Sequence, residues 1–318
     1  MAQSFDATST TDEVLDGVDL HGRRILVTGA SAGLGVETCR ALAAHGADVV
    51  GLVRDINKGK RATANVTVTA KANGGSFEMV QGDLADLRSL RRCSDQLLAA
   101  NNPLDAIIAN AGVMACPEGK TADGFETQFG TNHLGHFVLI NRLAPLLRSG
   151  GRVVNLSSAG HRFADVDLDD PFFQKSSYDP FVGYGRSKTA NILFSVALDR
   201  RLKSRGIRVN AVHPGVIQTE LGRHMTPEMI ARITSGAGTT SALVFKTVPQ
   251  GAATSVWSGF RATADEVGGR FCEDCHVAEV TNDPMTRSGV RAYALDPDRA
   301  EGLWSLSESL VKETFRHA

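Results

Sequence analysis

No stretch of this 318-residue chain runs uninterrupted through the roughly 18 to 20 apolar residues that a membrane span needs, so no span is expected. Neither sign of charge is in excess. The 34 Lys and Arg against 35 Asp and Glu leave a formal net charge of −1, which points to neither nucleic acid nor an anionic membrane as a partner. Cysteine is scarce: five residues, an odd number without framework spacing, argue against a disulfide scaffold and fit reduced thiols in a cytoplasmic protein. Residues 1–20 are polar and acidic and lack the apolar core of a signal peptide, so they are expected to form a flexible lead-in. Neither a repeat nor a linker-like stretch divides the rest of the chain, which predicts a single domain over 21–318.

What is present is ordinary globular composition, 42% hydrophobic and 22% charged, with 32 glycines that fall largely between apolar runs. Such glycines suit repeated strand-to-helix turns. The strand Arg24-Ile25-Leu26-Val27 runs into Thr28-Gly29-Ala30-Ser31-Ala32-Gly33-Leu34-Gly35, followed by a helical pattern over 36–45 and a second strand over 47–53. In that context the glycine turn reads as a phosphate cradle: the backbone can approach a pyrophosphate, and the helix N-terminus offers unpaired N–H groups. The second strand ends Val53-Arg54-Asp55. An arginine there accommodates the 2′-phosphate of NADP, whereas an acid would bind the ribose of NAD, so NADP(H) is favoured over NAD(H), with Asp55 weakening the inference.

The remaining pattern predicts a helix over 57–71, a strand over 76–80, a helix over 86–100 and an apolar strand over 104–109. One or two helices follow between 121 and 148, then strands over 151–156 and 207–212 flanking a helix that ends near 203. A helix over 248–260, a short last strand at 269–271 and a helix over 298–316 close the chain. If the segment around Tyr184-Gly185-Arg186-Ser187-Lys188 is helical, Tyr184 and Lys188 share one face, and a nearby ammonium favours the phenolate. The same spacing is common on solvated helix faces.

Taken together, the G-x-x-x-G-x-G turn (29, 33, 35), Asn110-Ala111-Gly112, Asn132-x-x-Gly135-x-Phe137, Ser157-Ser158, Tyr184-x-x-x-Lys188 and Pro214-Gly215-x-x-x-Thr219 resemble the short-chain dehydrogenase/reductase family. The likeness extends from about residue 20 to near the C-terminus and is closest in pattern to retinol dehydrogenases and the WW-domain-containing oxidoreductases. The resemblance implies an α/β fold: a Rossmann-like, doubly wound domain with about seven parallel strands and helices on both faces. It implies an alcohol dehydrogenase or carbonyl reductase acting through Asn132, Ser158, Tyr184 and Lys188, with Ser157 as the fallback serine. Ser158 would hydrogen-bond the carbonyl oxygen and Tyr184 would exchange the proton. Lys188 would hold the cofactor ribose and, with the oxidised nicotinamide, lower the tyrosine pKa, while Asn132 would bind a relay water.

Cofactor contacts would come from Gly29, Ser31, Gly33, Leu34, Gly35, Arg54, Asp83, Leu84, Asn110, Ala111, Gly112, Tyr184, Lys188, Pro214, Gly215 and Thr219. Asp83 reads equally well as a helix cap. The 26-residue gap from Ser158 to Tyr184 is long for the family. Its loop, 160–183, carries Phe172 and Phe173, which suggest an apolar alcohol, ketone or aldehyde substrate, and 221–240 is the expected lid. Pairing through the helices that carry Asn132 and Tyr184 would give a homodimer or homotetramer.

His133 and His136, without a carboxylate partner, read as packing or surface residues and no metal site is expected. Cys272-Glu273-Asp274-Cys275-His276 matches a haem-attachment pattern, but nothing else supports export, and the thiols read as packing or surface groups. A cofactor-bound sensor without turnover is the alternative.

Overall fold

The computed structural model describes residues 4–235 and 244–317. In chain order the elements are α1 (Thr11–Leu15), β1 (Arg24–Thr28), α2 (Gly33–Ala44), β2 (Asp48–Val53), α3 (Ile56–Ala62), α4 (Ala64–Ala72), β3 (Ser76–Gln81), α5 (Leu87–Ala100) and β4 (Leu104–Ala109). Then come the short α6 (Thr127–Phe129), a π-turn (Gly130–Leu134), α7 (Gly135–Leu143), β5 (Leu147–Leu156), a 3-10 turn (Ala159–Phe163), α8 (Pro180–Leu202) and β6 (Arg208–His213). The chain finishes with α9 (Pro227–Ser235), α10 (Val248–Val256), α11 (Ala264–Val267), β7 (Phe271–Glu273), β8 (His276–Val277) and α12 (Pro297–Val311).

Among the described residues the strands form one sheet in the order β3-β2-β1-β4-β5-β6-β7-β8. Apolar runs such as Ile25–Val27 and Ala106–Ala109 are fully buried because helices cover both faces. Leu26, Ile107 and Val153 face a core that includes residues of α5, α7, α8 and α12. Ile25, Val27 and Ile108 face one that includes residues of α1, α2, α4 and α10. The order reverses between β1 and β4, so a crevice opens there at the C-terminal strand ends.

The seven strands β1 to β7 are all parallel, as expected, and β8 is added antiparallel to β7 by a two-residue hairpin in which Asp274 and Cys275 both have positive φ. Cys272 lies in β7 and Cys275 in the turn itself, both buried, and burial pushes both thiols up. Two expectations are corrected, the first being the lead-in, which holds a short helix. A Thr10–Glu13 capping box starts α1, and Val14 and Leu15 are fully buried against α2 and α10. The helix expected over 57–71 is broken at Thr63. α12 packs on α7 and α8, where its Trp304 meets Phe137 of α7 at 5.1 Å and Phe194 of α8 at 6.0 Å between ring centres.

Among the described residues no helix is long and apolar enough to cross a membrane.

Candidate active site

A cavity of about 1420 Å³ lies along the C-terminal strand ends, more than a single small ligand needs. One end is built by the first turn. Gly29 has φ +72° and Gly33 φ +51°, and a Cβ on Gly29 would sit 2.9 Å from the Ala111 Cα. Ala32, the N-cap of α2, gives no side-chain bond, so the first-turn N–H groups have no cap. Ser31, Gly33 and Leu34 line the cavity there. A backbone without side chains and a helix N-terminus without its own acceptor suit a pyrophosphate. Gly35 does not line the cavity. Its Cβ would lie 2.2 Å from the Gly29 carbonyl oxygen and 2.7 Å from Asn110 Nδ2, so its smallness serves the packing of α2 on β1. Gly35→Ala should therefore cost about 2 kcal/mol or more of stability by overpacking. It should also weaken dinucleotide binding, as read by thermal melting and cofactor titration.

The Asn-Ala-Gly loop is tied to this turn. Asn110 Nδ2 donates to the Thr28 carbonyl at 2.9 Å, and the Ala111 N–H donates to Thr28 Oγ1 at 3.0 Å. His136 Nδ1 lies 2.9 Å from the Asn132 carbonyl oxygen, and its Nε2 lies 2.9 Å from Thr28 Oγ1. A carbonyl can only accept, so Nδ1 carries the proton and Nε2 accepts from the threonine. His136 and His133 are buried packing residues, and among the described residues no cluster could hold a metal ion.

Asn132 sits in the π-turn, fully buried. Its Oδ1 accepts from the Val113 N–H at 2.8 Å, and Nδ2 donates to the Val113 carbonyl and to Ser187 Oγ, both at 2.9 Å. Both amide hydrogens are thus engaged and the side chain does not line the cavity: the amide clamps the 110–114 loop to α8.

Ser158 caps the 3-10 turn, with Oγ accepting from the Gly160 N–H at 3.0 Å, and the Tyr184 ring lies against the same glycine. Ser157 Oγ instead donates to the Lys188 carbonyl at 2.8 Å. Lys188 Nζ lies 5.7 Å from the centre of the Tyr184 ring and donates to the Leu156 carbonyl at 2.9 Å. Burial pushes the tyrosine up to about 12, opposed by the nearby Ser158 hydroxyl, and the lysine down to about 7, because desolvation disfavours both charged forms.

Leu84, Gly112, Pro214, Gly215 and Thr219 also line the cavity, as do Arg54 and Asp83. Asp83 does not cap α5; Asp86 does, accepting from the Arg88 and Ser89 N–H groups, while Asp83 Oδ1 takes the Ala85 N–H. Asp55 caps α3, with its carboxylate accepting the Asn57 and Lys58 N–H groups, and stands outside the cavity wall. Lys58 lines the wall beside Arg54 and was not anticipated; it pairs with Glu220 at 2.5 Å.

At the other end the 160–183 loop contributes Gly160, Arg162, Phe163, Phe181 and Val182. Phe172 and Phe173 do not reach it. Phe172 packs 5.5 Å from Phe125, and Phe173 lies under the Arg186 guanidinium at 4.1 Å, where a partly buried cation gains a π face. Leu221 and Arg223 of the expected lid line the mouth, while residues 236–240 of that lid lie outside the described residues. Sequence reasoning missed the segment from Pro284 to Arg291, which closes this end although no local motif marks it.

A cleft with a phosphate cradle at one end and a buried tyrosine between serine and lysine at the other is the plan of a dinucleotide-dependent oxidoreductase on a Rossmann-like fold. Within that class, residues 23–229 match the family model described as short chain dehydrogenase. The chain is 37% identical to retinol dehydrogenase 14 of Mus musculus over 302 residues, covering 92% of this chain and 86% of the relative. A crystal structure of an uncharacterized protein from Mycobacterium Paratuberculosis superposes with a TM-score of 0.71 at 34% identity, covering 93% of this chain and 96% of the other. A Burkholderia cenocepacia short chain dehydrogenase in complex with NADP gives 0.62 at 27% identity, covering 81% and 98%. The protein belongs to the short-chain dehydrogenase/reductase family.

Proposed function

We propose that the protein is a carbonyl reductase or alcohol dehydrogenase for a small, largely apolar molecule, favouring NADP(H) over NAD(H). The observation that carries this reading is that Ser158, Tyr184 and Lys188, the last one helical turn on from the tyrosine, line one cavity on which the uncapped start of α2 also opens. When bound, the nicotinamide would supply or accept the hydride.

The chain's own residues handle the proton and the placement. Ser158 Oγ donates a hydrogen bond to the substrate carbonyl oxygen, and the phenol of Tyr184, held neutral by burial, gives that oxygen its proton in reduction. In oxidation the Tyr184 oxygen takes the proton back from the substrate hydroxyl. Lys188, held at the Leu156 carbonyl, is placed to reach the cofactor ribose, and Asn132 keeps the 110–114 loop closed on it. Five free, buried thiols suit a reducing, cytoplasmic setting.

NADP preference is supported by Arg54 in the cavity wall and by Asp55 being engaged as a helix cap, so that no acid ends β2 free for a ribose. Arg54→Ala should raise the NADP dissociation constant about tenfold or more, in line with loss of a charge-assisted contact, and change that for NAD little. Equal losses would remove Arg54 as the selecting residue. The reading as a whole is tested by NADPH oxidation with a panel of apolar ketones and aldehydes. Tight NADP binding without turnover of any panel member would favour a cofactor sensor instead.

A further inference from the structure

The wall beyond Ser158 holds two donors that the proposed proton chemistry does not use. His213 ends β6 and lines the cavity. Its Nδ1 faces two backbone donors, the Ala159 N–H at 3.2 Å and the Gly215 N–H at 3.3 Å. A ring nitrogen receiving N–H groups carries no proton, so in the neutral ring the proton is on Nε2. The described residues offer that N–H no acceptor. Burial, with Arg162, Lys246 and His161 nearby, pushes the ring down to about 3, so it stays neutral at physiological pH.

Arg162 stands in the same 3-10 turn as the Ala159 that His213 holds, and also lines the cavity. Its guanidinium makes one long hydrogen bond, 3.4 Å to the Thr286 carbonyl, and no ion pair with a described residue. The neighbouring cations are differently placed. Lys246 pairs with Asp274 at 2.5 Å, and Arg291 Nη1 donates to the carbonyls of Thr281 and Asp283 at 2.8 and 2.7 Å. Glu273, the acid that Arg162 feels most, accepts the Gly289 N–H at 2.6 Å, and its burial favours the neutral form. The facing wall is apolar, with Val113, Met114, Phe163 and Phe181.

We propose that Arg162 and the Nε2–H of His213 form a carboxylate-binding subsite, so that the substrate is an apolar carbonyl compound, or its alcohol, that also bears an acid group. A partly desolvated guanidinium without an ion pair and a fixed neutral donor, both lining one cavity, suit the two oxygens of a carboxylate. The subsite flanks Ser158, whose backbone is pinned on the same side: His161 Nδ1 donates to the Ser158 carbonyl at 2.7 Å, and the Arg291 N–H donates to His161 Nε2 at 3.2 Å. This assignment of substrate class rests on the oxidoreductase reading for its meaning but not for its test.

The test is calorimetric titration of the NADP-saturated protein with benzoate, cinnamate and decanoate, each against its neutral amide. Acids should bind roughly 10- to 100-fold tighter than amides, the range expected for a hydrogen bond to a charged group. Arg162→Gln should abolish that preference while leaving amide affinity within about twofold, Arg162→Lys should keep part of it, and His213→Gln should reduce it. Equal affinity for acids and amides in the wild type, or a preference that survives Arg162→Gln, overturns the subsite. If Arg162→Gln fails to fold, the wild-type comparison alone decides. Turnover is scored separately by NADPH oxidation: acid preference without turnover would sink the oxidoreductase reading and leave the subsite standing.

Discussion

Tyr184→Phe is expected to lower carbonyl reduction by about 10²- to 10⁴-fold, the range associated with removing a positioned general acid, while NADP binding stays measurable. The substitution removes one oxygen and keeps the ring. That ring is 3% exposed and packs against Gly160, where a Cβ would come within 2.5 Å of its Cε1, so the fold around it should survive. What disappears is the phenol proton beside Ser158, while Lys188 stays turned to the Leu156 carbonyl. Steady-state NADPH oxidation with the best panel substrate, paired with a cofactor titration, measures both halves. Turnover within tenfold of wild type would sink the assignment of Tyr184 as acid.

The second large effect is on stability. His133, His136 and His161 are at most 2% exposed, and burial holds their rings down to about 3, 4 and 4. Unfolded, each titrates near 6.5. Between the folded and unfolded values the unfolded chain binds more protons, so stability is complete above about pH 6.5 and is lost as the pH falls toward 4. By pH 5 each ring should remove about 2 kcal/mol, and the three together about 6, a large part of the stability of an ordinary domain. Urea unfolding at pH 7.5 and pH 5.0 gives the comparison directly, and equal free energies at the two values would mean that these rings are not held neutral by the fold.

Much of this architecture was legible because it is written locally. The strand, glycine turn and helix from Arg24 to Ala44 are adjacent in sequence, and the turn needs positive φ at Gly29 and Gly33, which only glycine supplies freely. Tyr184 and Lys188 are one helical turn apart, so their shared face follows from helix geometry once α8 exists. Arg54 at the end of β2 is placed by the same reasoning. The Thr10-x-x-Glu13 capping box was equally local, but the polar run around it obscured a helix whose two apolar residues are fully buried.

Other features depended on residues far apart in the chain. Phe172 and Phe173 look alike as loop aromatics, yet one joins the core beside Phe125 and Phe129 and the other serves the Arg186 cation, so neither faces the substrate. Asn132 could be located by motif, but only its contacts with Val113 and Ser187, the latter 55 residues on, show that its amide is a clamp. The direction of the Tyr184 and Lys188 shifts is a burial effect, and burial is a property of the packed domain.

The sequence by itself determined a doubly wound sheet, where its phosphate turn lies and which tyrosine stands a helical turn from a lysine, because periodicity and turn chemistry act over a few residues. Only the tertiary structure brought Arg162, His213 and the segment from Pro284 to Arg291 around one cavity, since contacts across more than fifty residues follow from how the elements pack and leave no signature in any one of them.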